Sequence, residues 1–141
     1  MKQNINFKVV DSRLLEVRFK ALTPIDGRLS MKIDDLIEPT DIRDDGFTLT
    51  FSRHVHLEPE SMFDILVSFE VRCVFDDAAK SFFKSRTNDI QPFIEKSKDT
   101  IIRKKNIGNQ ASLLIGQLTS YQGMNPVILP PYKETIKHKP S

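Results

Sequence analysis

The 141-residue chain has no tryptophan, two tyrosines and one cysteine. A single cysteine excludes an internal disulfide framework, so the fold must be held by its own core. No apolar stretch reaches the length of about 18 residues that a membrane-spanning helix needs. The opening Met1-Lys2-Gln3-Asn4-Ile5-Asn6 is not followed by the apolar core of a secretory signal, and a cytoplasmic location is expected. Signatures of chemistry are just as scarce. There is no HExxH, no CxxC, no glycine-rich phosphate loop and no G-x-S-x-G elbow. Serines and the three histidines show no spacing that orders a proton relay. The expectation is a protein that is not an enzyme, with no catalytic residues, no cofactor and no metal.

What is present is an ordinary globular balance, 39% apolar and 28% charged, in a chain long enough for one domain with a real core. Ten phenylalanines stand out. They either fill a sheet core or line an apolar groove for a ligand or polypeptide. The net charge of +2 hides an asymmetry. Residues 1–70 carry nine Lys/Arg against thirteen Asp/Glu, and residues 71–141 carry twelve against six. Such opposed fields either orient partners or protomers, or are scattered and screened on folding.

Alternation dominates the first half. Phe47, Leu49, Phe51, Val55 and Leu57 fall at odd positions, with Arg53 as the one break. Phe63, Ile65, Val67, Phe69, Val71, Cys73 and Phe75 repeat the pattern without a break. Strict period 2 means two strands, each with one apolar face. The intervening Glu58-Pro59-Glu60-Ser61 suits an antiparallel hairpin. Residues 5–21 form an earlier extended segment, in which Leu15, Val17, Phe19 and Ala21 alternate with charges, and Thr23-Pro24-Ile25-Asp26-Gly27 reads as a turn. Leu29, Met31 and Ile33 suggest a short further strand. Residues 34–46 then read as an exposed, mobile connection, dense in aspartate and broken at Pro39.

The second half turns helical. Asp76-Asp77-Ala78-Ala79-Lys80 reads as a turn or one helical turn, and Asp89-Ile90-Gln91-Pro92 as a helix start with aspartate as cap. The clearest helix spans 106–121, where Ile107, Ala111, Leu114, Ile115, Leu118 and Tyr121 recur at threes and fours. Gly123 and Pro126 end it. Val127-Ile128-Leu129 is an apolar extended piece, and residues 133–141 form a frayed tail. One domain accounts for the whole chain.

Three constellations bear on chemistry. His54 and His56 share the polar face of one strand, and as a metal site they need one or two further ligands; a surface pair is expected. Asp34-Asp35, Asp44-Asp45 and Asp76-Asp77 all fall in expected turns and read as solvated loop charge. Lys96, Lys98, Arg103, Lys104 and Lys105 form a basic cluster without interleaved aromatics or a reading helix, which argues against nucleic acid. Cys73 lies on an apolar face and reads as a small core residue.

Residues 62–71, Met-Phe-Asp-Ile-Leu-Val-Ser-Phe-Glu-Val, resemble the central sheet strand of the SecB export-chaperone family. Residues 109–119 and then 123–131, Gly-Met-Asn-Pro-Val-Ile-Leu-Pro-Pro, resemble that family's long helix and the stretch after it. The resemblance covers roughly residues 12–131. It implies an α+β fold, with a four-stranded antiparallel sheet packed against a principal C-terminal helix and a smaller helical element. It also implies a non-enzymatic chaperone that holds unfolded or nascent polypeptides in apolar grooves and assembles as a dimer or tetramer, with a possible role in protein export. By position, Met124, Pro126, Val127 and Leu129 would flank the client groove, and Leu114, Ile115 and Leu118 would pack on the sheet or on a second subunit. The chain departs from the export members where Asn109-Gln110-Ala111-Ser112 replaces a Phe-Pro-Tyr-like signature, and in its basic second half. Export members engage a translocation ATPase through acidic sheet residues. The alternative is therefore a dedicated interaction module with one specific partner, of the kind associated with antitoxins.

Overall fold

The computed structural model describes residues 7–120. Four strands come first: β1 (Phe7–Ala21), β2 (Ser30–Arg43), β3 (Gly46–Glu58) and β4 (Phe63–Phe75). Three helices follow: α1 (Asp77–Lys84), α2 (Ile90–Lys104) and α3 (Ile107–Ser120), with a 3-10 turn at Thr87–Asp89 before α2. The strands form one antiparallel sheet in the order β1-β4-β3-β2. The α+β architecture read from the sequence is the one observed.

The β3–β4 hairpin is the centre of the sheet, as its alternation predicts. Phe47, Leu49, Phe51, Val55, Ile65, Val67, Val71 and Cys73 are fully buried on the face that the helices cover. β1 lies beside β4 rather than beside β2, so residues 22–29 must cross the end of the hairpin. The crossing is tied down where it passes: the Leu22 amide donates to the Met62 carbonyl at 2.9 Å and the Ile25 amide to Ser61 Oγ at 2.9 Å. Ser61 is completely buried for that purpose.

The short strand expected around Leu29–Ile33 is a full strand of 14 residues, which corrects the reading of 34–46 as a mobile connection. Pro39 does not break it, because β2 is an edge strand and a missing N–H can face outward there. A register shift between Pro39 and Asp41 absorbs the residual distortion. Only residues 44 and 45 make the turn into β3. Gly46 starts β3 so close to β4 that a Cβ there would lie 2.1 Å from the Cys73 carbonyl oxygen.

Asp76 caps α1, its Oδ1 accepting from the Ala79 amide at 2.8 Å. Asp89 occupies the cap position of α2 without a side-chain bond. α2 and α3 are separate helices because Asn106 adopts the left-handed region, φ 53°, between them. The phenylalanines resolve in favour of core filling. Phe7, Phe47, Phe75, Phe83 and Phe93 form one cluster, with ring centroids 4.9–6.5 Å apart in the pairs that touch. Phe51, Phe63 and Phe69 are buried elsewhere on the sheet.

Candidate functional site

The inner face of the sheet is covered at its centre and open at its edges. Leu14 lies opposite Phe69 and Val17 opposite Val67; on the other side Ile33 lies opposite Val55 and Met31 opposite Leu57. Val55 and Val67 are fully buried, yet Leu14 is 48% exposed and Val17 38%. Met31 and Ile33 are exposed as well. Each apolar flank therefore borders a strand whose outer edge pairs with nothing among the described residues. An apolar strip beside an open edge is what an extended peptide requires: main-chain pairing gives affinity and alternate side chains give selectivity. Both edges are guarded. β1 carries two register shifts and Lys8, Arg13, Arg18 and Lys20, and β2 carries Pro39. Bulges, cations and proline all discourage indiscriminate strand pairing.

Arg53, the apparent break in alternation, is a clamp. It sits on the inner face with its side chain 2% exposed. Its Nε and Nη2 donate to the two carboxylate oxygens of Asp35 at 2.7 Å each, and Nη1 donates to Ser112 Oγ at 2.6 Å. Ser112 Oγ in turn donates to the Gly108 carbonyl at 2.9 Å. The fork joins edge strand β2, central strand β3 and helix α3. A buried guanidinium is tolerable only with such bidentate pairing. The reading of Asp34-Asp35 as solvated turn charge is corrected here. Both residues are in β2, and Asp35 faces inward opposite Arg53. The signal in the sequence was an arginine at an apolar-parity position, which demands an acid one register step away. Asp44 and Asp45 do lie in a turn, where Arg43 bonds both Asp41 and Asp45 and is held above its usual pKa, chiefly by Asp41.

Of the sequence-predicted interface residues, Ile115 is fully buried in the core, while Leu114 and Leu118 pack against it part-buried. Leu113 is 63% exposed on the same helix. Met124, Pro126, Val127, Leu129 and the tail 133–141 lie outside the described residues. In the basic cluster, Lys98 pairs with Glu95 at 2.8 Å, and Arg103 and Lys104 stand in the last turn of α2, where cations suit the helix C-terminus. Cys73 is fully buried, and burial pushes its thiol up to about 11, so it is a core residue rather than a nucleophile.

His54 and His56 share the outer face, opposite Cys73, as their parity predicts. Their rings stack with centroids 4.5 Å apart and planes 18° apart. His54 Nε2 lies 2.8 Å from Asp64 Oδ1, and His56 Nε2 lies 3.3 Å from Asp34 Oδ2.

No protein-family model matches the chain, and no curated protein matches it. Solved structures do. The SecB-like chaperone of Mycobacterium tuberculosis, solved in complex with a ChAD peptide from the HigA1 antitoxin, matches with a TM-score of 0.50 at 11% identity, over 90% of this chain and 88% of that one. The chain thus has a SecB-like fold.

Proposed function

We propose that this chain is a non-enzymatic, chaperone-like module that holds an extended apolar segment of one dedicated partner protein. The observation that carries the reading is the exposed apolar flank of Leu14 and Val17 beside the open edge of β1. The guarded edges favour a dedicated partner over generic clients, because a general holdase gains nothing from bulges and cations that repel strands. The fold it shares with a SecB-like chaperone solved with an antitoxin peptide supports the same choice. In this reading the protein acts in the cytoplasm as a homo-oligomer. Leu114 and Leu118 contribute to subunit contact, and Met124, Pro126, Val127 and Leu129 border the partner's groove. General export through a translocation ATPase is the less favoured role.

The test is a photo-cross-linking side chain placed at Leu14 or Val17, with Leu36 as control, in the cells that make the protein. Leu36 is equally apolar and 54% exposed, but it pairs with Ser52 on the outer face. A single discrete adduct from positions 14 and 17, absent from 36, is expected. A ladder of many adducts, with suppressed aggregation of a reduced model protein, would make the chain a general holdase. No adduct from either position would remove the flank as a binding site.

A further inference from the structure

We propose that Asp34, His54 and His56 bind one divalent ion of the zinc class on the outer face of the sheet. The histidines stand two residues apart on central strand β3, so they project from the same face off a backbone paired on both sides. Register supplies the rest. β2 sets Asp34 opposite His54, and β4 sets Asp64 opposite His56. Asp34 is the further ligand that the histidine pair lacks in the sequence alone, and Asp64 is a second carboxylate beside it.

The distances suit an ion. One donor atom from each of Asp34, His54 and His56 lies within 4.8 Å of the other two. Ligands of a tetrahedral zinc ion, at about 2.0–2.1 Å from the metal, keep about 3.4 Å from one another. His56 Nε2 and Asp34 Oδ2 already stand 3.3 Å apart. The stacked imidazoles must turn about their side-chain bonds to aim both ring nitrogens at one ion, and none of the three side chains is locked in the core: His54 is 36% exposed, His56 18% and Asp34 72%. Asp64, 2.8 Å from His54 Nε2, is placed as the carboxylate that orients a ligating imidazole and fixes which ring nitrogen faces the ion. Two imidazoles and one carboxylate favour zinc, nickel or cobalt over calcium or magnesium, which prefer all-oxygen shells. Three protein ligands leave a position for water. The site lies on the face opposite the apolar flank and is independent of the proposed partner binding.

The untagged 141-residue chain, stripped with a chelator, is titrated with Zn²⁺ by calorimetry. One ion per chain is expected, with no calcium heat at matched concentration. His56→Gln and Asp34→Asn should each weaken binding by about tenfold or more. His138→Gln, a change to a histidine that is not in the proposed ligand set, should leave it unchanged. Zn²⁺ should raise the melting temperature of the wild type but not of His56→Gln, provided both have the same circular dichroism. Wild-type affinity in both His56→Gln and Asp34→Asn, loss of binding in His138→Gln, or no saturable Zn²⁺ binding would each overturn the assignment.

Discussion

Replacing Arg53 with methionine keeps most of the side-chain stem but removes the fork that joins β2, β3 and α3. Removing one partner of a buried ion pair costs about 3–5 kcal/mol, because the other charge is left desolvated. Asp35 keeps some contact with water, its side chain being 18% exposed, so the lower end applies, about 3 kcal/mol. With a urea slope of about 2 kcal/mol/M, the unfolding midpoint should fall by about 1.5 M. Asp35→Leu alone should cost about as much, since it takes the bidentate carboxylate from a guanidinium that is 2% exposed. The double variant Arg53→Met, Asp35→Leu should recover to within about 1 kcal/mol of the wild type, because two apolar residues can replace a buried pair at little cost. The four proteins are compared in urea at one protein concentration, so that any oligomerisation contributes equally. Additive single effects, or an Arg53→Met protein within about 0.5 kcal/mol of the wild type, would refute the clamp.

Gly46→Ala places a methyl 2.1 Å from the Cys73 carbonyl oxygen and against the Val74 Cα, both main chain, so the hairpin must part. A loss of about 3 kcal/mol or failure to accumulate as soluble protein is expected, read by thermal melting. Cys73 gives a pH signature. Its thiol is raised from 9.0 to about 11 by burial, so the folded state keeps a proton that the unfolded chain gives up. That contribution is complete below pH 9 and is lost as pH rises through 11. Between those limits the wild type should lose about 2 kcal/mol more than Cys73→Ala, measured as the difference between their urea midpoints across pH. Equal slopes in the two proteins would show that the thiol is not desolvated as described.

The hairpin and α3 were legible because one physical requirement, burial of a single face, governs every position in them. β2 was half legible for the opposite reason. As an edge strand it needs few apolar residues, and its aspartates and Pro39 imitate a loop composition while the backbone pairs regularly with β3. α2 was blurred by its start. Pro92 and the uncapped Asp89 gave a weak signal, although Ile90, Ile94, Ile101 and Ile102 all reach the core. Arg53 was visible as an irregularity whose meaning needed the register of β2. The histidine cluster was visible as a pair, and its two carboxylates come from strands 20 residues before and 10 residues after His54. Contacts of that kind depend on strand order, which alternation alone does not specify.

The crossing of residues 22–29 over the hairpin has a consequence in time. β1 ends at residue 21, but its partner β4 ends at residue 75, and Phe7 pairs with Phe75. During synthesis at about 5–20 residues per second, the completed first strand waits roughly 3–10 s for the strand it must join. The later strands β2, β3 and β4 can zip as a local meander in the meantime, since each neighbours the next in sequence. The slow, high-contact-order step is then the docking of β1. Until it occurs, the newborn chain displays an unpaired strand with an apolar face, so it passes through the same condition as the segments it is proposed to hold.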